Sequence, residues 1–203
     1  AALETLGGLD GTTLTPHAEL ILSISCPAEP GRSSIVDNLK PTIHIFGRIP
    51  PSLLAPLAPA LISRLRLAGS ASCDVEGVIA LLCCVAADEL LPHAPSLLAL
   101  LEYESEGASS TSPWEDPNWD PRTDVDVRQA AMRAIGAVGG TLLQQCTAEV
   151  VARLNTRELS EEAIETLGHL EPGMLHRQVG ALLTVLQGAA SRPGQREAVW
   201  RAL

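Results

Sequence analysis

The chain has 203 residues, 46% of them hydrophobic and 19% charged, and 24 acidic residues against 14 basic ones give a formal net charge of −10. That length holds one ordinary domain or two small ones, with enough apolar mass for a core. The acidity, with a sequence pI near 4.9, argues against direct nucleic-acid binding and against anionic membrane surfaces, both of which select basic footprints. Aromatic residues make up only 2%, and an apolar load of Leu, Ala, Val and Ile suits close helix packing better than a β-sandwich. The longest unbroken apolar run, Val78 to Ala87, is about half of the roughly 20 residues a spanning helix needs, so no membrane insertion is expected. The first residues lack the basic and apolar regions of a signal peptide. Five cysteines, Cys26, Cys73, Cys83, Cys84 and Cys146, have no Cys-x-x-Cys spacing. They predict reduced, buried thiols in an intracellular compartment.

In chain order the sequence predicts paired short helices. Residues 2–10 open a first helix, and Leu14–Leu22 form its partner, with Pro16 in the first turn. Thr42–Ile49 is followed by Pro50 and Pro51 and then by Leu54–Ile62, with Pro56 in the matching place. Val78–Val85 precedes Leu91–Leu101, with Pro92. Ala131–Val138 runs into Gly139 and Gly140, and Ala163–Glu171 precedes Leu175. Superposing these copies puts Gly7, Gly47, Cys83, Gly136 and Gly168 at one anchor position, with spacings of 40, 36, 53 and 32. Apolar residues at Ala130, Ala131, Ala134, Ile135 and Val138 mark a single buried helical stripe. The anchor glycine reads as a helix C-terminus in the left-handed conformation, and the prolines as first-turn residues, where a missing N–H is tolerated.

The stretch Asp124–Gly136 carries an acidic turn, then Val127-Arg128, then an Ala-rich helix ending in Gly. It resembles the HEAT-repeat family of α-solenoids, close to armadillo arrays. The resemblance implies an all-α, right-handed α-solenoid of about five helix-turn-helix repeats, over residues 1–37, 38–72, 73–101, 124–157 and 158–190, with another starting at 195–203. Elsewhere the acidic Val-Arg signature is degraded, as at Glu158-Leu-Ser-Glu-Glu before Ile164. A solenoid needs polar capping repeats at its ends. The sequence shows none, so the whole of 1–203 is expected to be one array within a longer repeat protein, or one whose ends another subunit covers.

Chemistry-bearing motifs are sparse. His17, His93 and His176 recur at the starts of second helices, and packed helices stand about 8–10 Å apart, too far for one ion with ligands near 2 Å. Cys83 and Cys84 diverge on a helix. The sequence contains no Gly-x-Ser-x-Gly, P-loop or His-Glu pair. The expectation is therefore no catalytic, cofactor or metal site. An alternative is a HEAT-like enzyme or ligand-binding solenoid of lyase type, or a carrier of basic peptide cargo.

The spacing of 53 marks an inserted loop at 102–123. Residues 102–126 hold eight acidic residues and one basic residue, Arg122, and so account for −7 of the net charge. Their Ser, Pro, Gly and acid content predicts an irregular excursion. Two of the three tryptophans fall there, in Trp114-Glu115-Asp116 and Trp119-Asp120. Exposed Trp anchors ringed by carboxylates are typical of interfaces with basic partners. These five residues are the candidate partner-binding site. The expected function is a non-catalytic protein-interaction scaffold, or a structural subunit of a larger assembly, whose partners are other proteins.

Overall fold

The computed structural model describes residues 11–25, 35–66, 74–103, 121–156, 158–188 and 193–202. Among these every regular element is helical and no strand occurs, as the Leu/Ala-rich and aromatic-poor composition implies. The chain divides into two compact units, Ala1–His93 and Ala94–Leu203.

In the first unit one local arrangement recurs. A single helical turn, Gly11–Leu14, passes through a 3-10 turn, Thr15–His17, into helix α1, Ala18–Ser25. After α2 (Ile35–Phe46) the same sequence of forms, Pro51–Leu54 then Ala55–Leu57, leads into α3, Ala58–Leu65. After α4 (Val75–Leu82) it appears again as Ala87–Leu90 and Leu91–His93. Pro16, Pro56 and Pro92 are the middle residues of the three 3-10 turns. Proline has no N–H for the ordinary helical bond, so the chain tightens there before the α-helix resumes. These prolines thus lie one turn further into the second segment than a helix start. Asp74 caps α4, its Oδ1 accepting from the Gly77 N–H at 3.0 Å. Helix α2 packs against α1 and α4, and α3 against α4. Their facing stripes bury Ile45 and Phe46, Leu61 and Leu65, and Leu81 and Leu82 completely.

The second unit contains α5 (Ala94–Leu100), α6 (Pro121–Val138), α7 (Gly140–Ala152), α8 (Ser160–Gly168), α9 (Pro172–Gly188) and α10 (Pro193–Ala202). Helix α8 packs between α6 and α10, while α7 touches both α5 and α9. The stripe expected on α6 is present: Ala130, Ala131, Ala134 and Ile135 are fully buried, and Val138 is half-buried. The helix runs from Pro121 to Val138, and Val127 and Met132 are fully buried as well.

Among the described anchor glycines, Gly47 directly follows the last residue of α2 and Gly168 is the last residue of α8, as expected, while Gly136 lies inside its helix. Helix α6 continues through Gly136 to Val138, and left-handed backbone occurs at Gly139 (φ 62°) and Gly140 (φ 53°) instead. Gly47 and Gly168 are not left-handed either. The absence of a side chain at Gly136 serves helix approach. A Cβ there would lie 3.0 Å from Thr166 Oγ1 and 3.2 Å from Thr166 Cα, on α8. Thr166 uses that proximity to donate its hydroxyl to the Met132 carbonyl, at 3.2 Å. One helix further, a Cβ on Gly168 would lie 3.4 Å from Ala202 of α10.

Candidate functional site

A concave feature forms where the first turns of α8 and α10 meet the first half of α6. The segment Glu158-Leu159-Ser160-Glu161-Glu162 enters α8 with Leu159 and Ser160 buried, which leaves its acids on the outside. Carboxylates in a first turn also suit the positive end of the helix dipole. With Val125 and Gln129 from α6 and Gln195 from α10, Glu158, Ser160, Glu161 and Glu162 line a cleft of about 260 Å³.

Each wall is held by polar contacts. Arg128 reaches Glu158 at 3.2 Å, and Gln129 donates to the Glu158 carbonyl at 3.2 Å. Gln195 donates to the Ser160 hydroxyl oxygen. The Glu161 carboxylate lies so near α10 that a Cβ on Gly194 would approach its oxygens to 3.1 and 3.2 Å. Partial burial pushes the Glu162 carboxyl above the ordinary Glu range, with the Glu161 and Glu165 charges adding to that rise against its own backbone hydrogen bond and Arg133. The site is an acceptor surface. Its carboxylates and amide oxygens suit ammonium or guanidinium groups.

The elevated Glu162 gives a pH prediction. The folded chain holds this proton more tightly than the unfolded one, so the stability it adds is present at low pH. That stability is lost as pH rises from the ordinary Glu value through the raised folded one. Glu162→Gln is therefore expected to raise the thermal midpoint at pH 7, and the gain should vanish below roughly pH 4. A gain that persists undiminished into acid would disprove the assignment.

The sequence-predicted partner residues Trp114, Glu115, Asp116, Trp119 and Asp120 lie outside the described residues. His17 is exposed and His93 half-buried, each in a 3-10 turn, and His176 is exposed on α9. Among the described residues no group of three His, Cys, Asp or Glu side chains is placed to hold a metal ion. The expectation of buried cysteines fails for two of them: Cys83 is exposed and Cys84 half-buried, because both fall past the last residue of α4, on the turn toward Ala87. Cys146 is fully buried, and burial pushes its thiol up to about 11. Cys26 and Cys73 lie outside the described residues.

The acidic cleft did not stand out in the sequence, yet its signal was there. The Glu158-Leu-Ser-Glu-Glu segment that departs from the acidic Val-Arg signature supplies four of the lining residues. Exposed apolar residues occur at Leu20, Leu53, Leu183 and Trp200, the last at 71% exposure on α10. Among the described residues no helix is long and apolar enough to cross a membrane.

The described residues define an all-α protein built from packed helix pairs. The chain matches no protein-family model, no curated protein and no solved structure.

Proposed function

We propose that the chain is a non-catalytic protein-interaction scaffold, a HEAT-like α-solenoid that binds protein partners bearing basic surface. The observation that supports this most is the serial packing of α6, α8 and α10, in which each helix meets the next through an anchor glycine. A stack of that kind offers one helix edge after another as an extended contact face. Its acidic cleft at Glu158, Glu161 and Glu162 adds charge complementary to a cationic partner. The acidic residues around Trp114 and Trp119 extend the same chemistry in sequence. A carrier of basic peptide segments is the specific form that the cleft favours over a lyase-type enzyme.

The test begins with affinity purification of the native protein and identification of what accompanies it. Trp114→Ala with Trp119→Ala, and separately Glu161→Lys, should each release the partner at least tenfold, the range expected for a hot-spot side chain or a reversed interface charge. Helix content and thermal midpoint should stay unchanged. A native protein recovered alone, or a partner retained undiminished by all these variants, would refute the reading.

A further inference from the structure

The turn that closes α4 carries the described thiols that reach solvent. Cys83 follows Leu82, the last residue of the helix, and its N–H still bonds the Ile79 carbonyl at 3.0 Å. Beyond it the backbone tightens, with Cys84 bonding Leu81 at 3.1 Å and Val85 bonding Leu82 at 3.0 Å. Consecutive Cα atoms stand about 3.8 Å apart, so the two thiols are tethered neighbours, and a side-chain rotation that releases the Cys84 bond would let both turn toward one ligand atom. Cys83 is exposed, while Cys84 is half-buried and donates its thiol to the Ala80 carbonyl at 3.4 Å. A thiol is a weak donor, so that bond is cheaply given up. In the aligned repeats this anchor position is otherwise glycine. Cys84 is half-buried, unlike Cys146, which is fully buried.

We infer that Cys83 and Cys84 form a chelating dithiol site for trivalent arsenic compounds, exposed at the end of α4. Burial raises both thiols, and Cys84 adds to the rise at Cys83. The pair is therefore protonated near neutral pH and poorly suited to thiolate attack on disulfides. Condensation with a trivalent arsenical consumes neutral thiols directly. For phenylarsine oxide, two arsenic–sulfur bonds form and the arsenic–oxygen bond is lost. Both thiol protons leave with that oxygen as water, and arsenic stays trivalent, so no oxidant is needed. The second bond closes within one molecule, at the high effective concentration set by a two-residue tether.

The reduced full chain is titrated with phenylarsine oxide, and the adduct is followed by native mass spectrometry and peptide mapping. A one-to-one adduct on the peptide holding both residues is expected, with both thiols then shielded from iodoacetamide. Cys83→Ser and Cys84→Ser should each weaken retention by about 100-fold or more, since one sulfur loses the chelate advantage. Circular dichroism confirms that each variant is folded, and Cys84→Ala replaces Cys84→Ser if the serine variant is not. An adduct equally strong in either single variant, one mapping to Cys26, Cys73 or Cys146, or protection of one thiol alone would overturn the site.

Discussion

Gly136→Val is expected to lower the stability of the chain by about 3 kcal/mol, a large share of what a domain of this size possesses. The position lies inside α6, where glycine costs about 1 kcal/mol relative to alanine, so a helix considered alone would gain from a side chain. Packing decides against it. The first atom added already falls 3.0 Å from Thr166 Oγ1 and 3.2 Å from its Cα, and the Cα cannot rotate away. Valine adds two methyl groups to the same space and drives α6 and α8 apart, breaking the Thr166 hydrogen bond to Met132. Gly136→Ala should lose about 1 kcal/mol, its propensity gain offset by an overpacking cost of about 1–3 kcal/mol. Thr166→Ala in that background should recover part of the loss, because the hydroxyl clears but the Cα remains. Urea denaturation measures all three. A valine variant with an unshifted midpoint would show that the helices do not meet here.

The second large effect is Gly11→Ala, with an expected loss of about 3 kcal/mol. A Cβ at Gly11 would sit 2.1 Å from the Arg48 carbonyl oxygen and 2.9 Å from its carbon. Both are backbone atoms. Relief must move either the Gly11–Leu14 turn or the turn after α2, where Arg48 and Ile49 bond back to Ile45 and Phe46 at 3.1 and 3.0 Å. Gly180→Ala is the matched control. Gly180 is exposed on α9 with nothing within 4 Å of its Cβ position, so the substitution should stabilise by up to about 1 kcal/mol. Similar thermal shifts for the two variants would contradict the close approach at Gly11.

These glycines show how far the sequence could be read. Superposition of the copies picked out Gly136 and Gly168 as equivalent, but in the structure Gly136 is the tight approach point, while a Cβ on Gly168 would make ordinary contact with Ala202. Gly168 does end α8, but Gly136 was misassigned because a helix-ending glycine and a helix-packing glycine look identical in one dimension, and Gly139 and Gly140 stood close enough to share the signal. The apolar stripe at Ala130, Ala131, Ala134 and Ile135 was legible because period 3.6 is a local property. So were Pro16, Pro56 and Pro92 as markers of a recurring turn, though not its 3-10 form. The cleft was hidden for the opposite reason: Gln129 lies on α6, Glu158 and Glu161 at the start of α8 and Gln195 in the first turn of α10, and nothing local announces that these places converge. The exposure of Cys83 was equally invisible, since it depends on where α4 stops.

The side-chain bonds joining α6 to α8 and α8 to α10 have one more implication. Gln129 to Glu158, Met132 to Thr166, Ser160 to Gln195 and Glu165 to Arg201 span 29, 34, 35 and 36 residues. Each tie reaches one helix pair along the chain and no further, so α6 and α10 share α8 as their go-between. Within this unit amide exchange should be coupled through α8, so that a substitution loosening α8 speeds exchange in both α6 and α10. A partner that clasps the first turns of α8 and α10 would slow exchange in α6 as well, converting a local grip into resistance across all three helices.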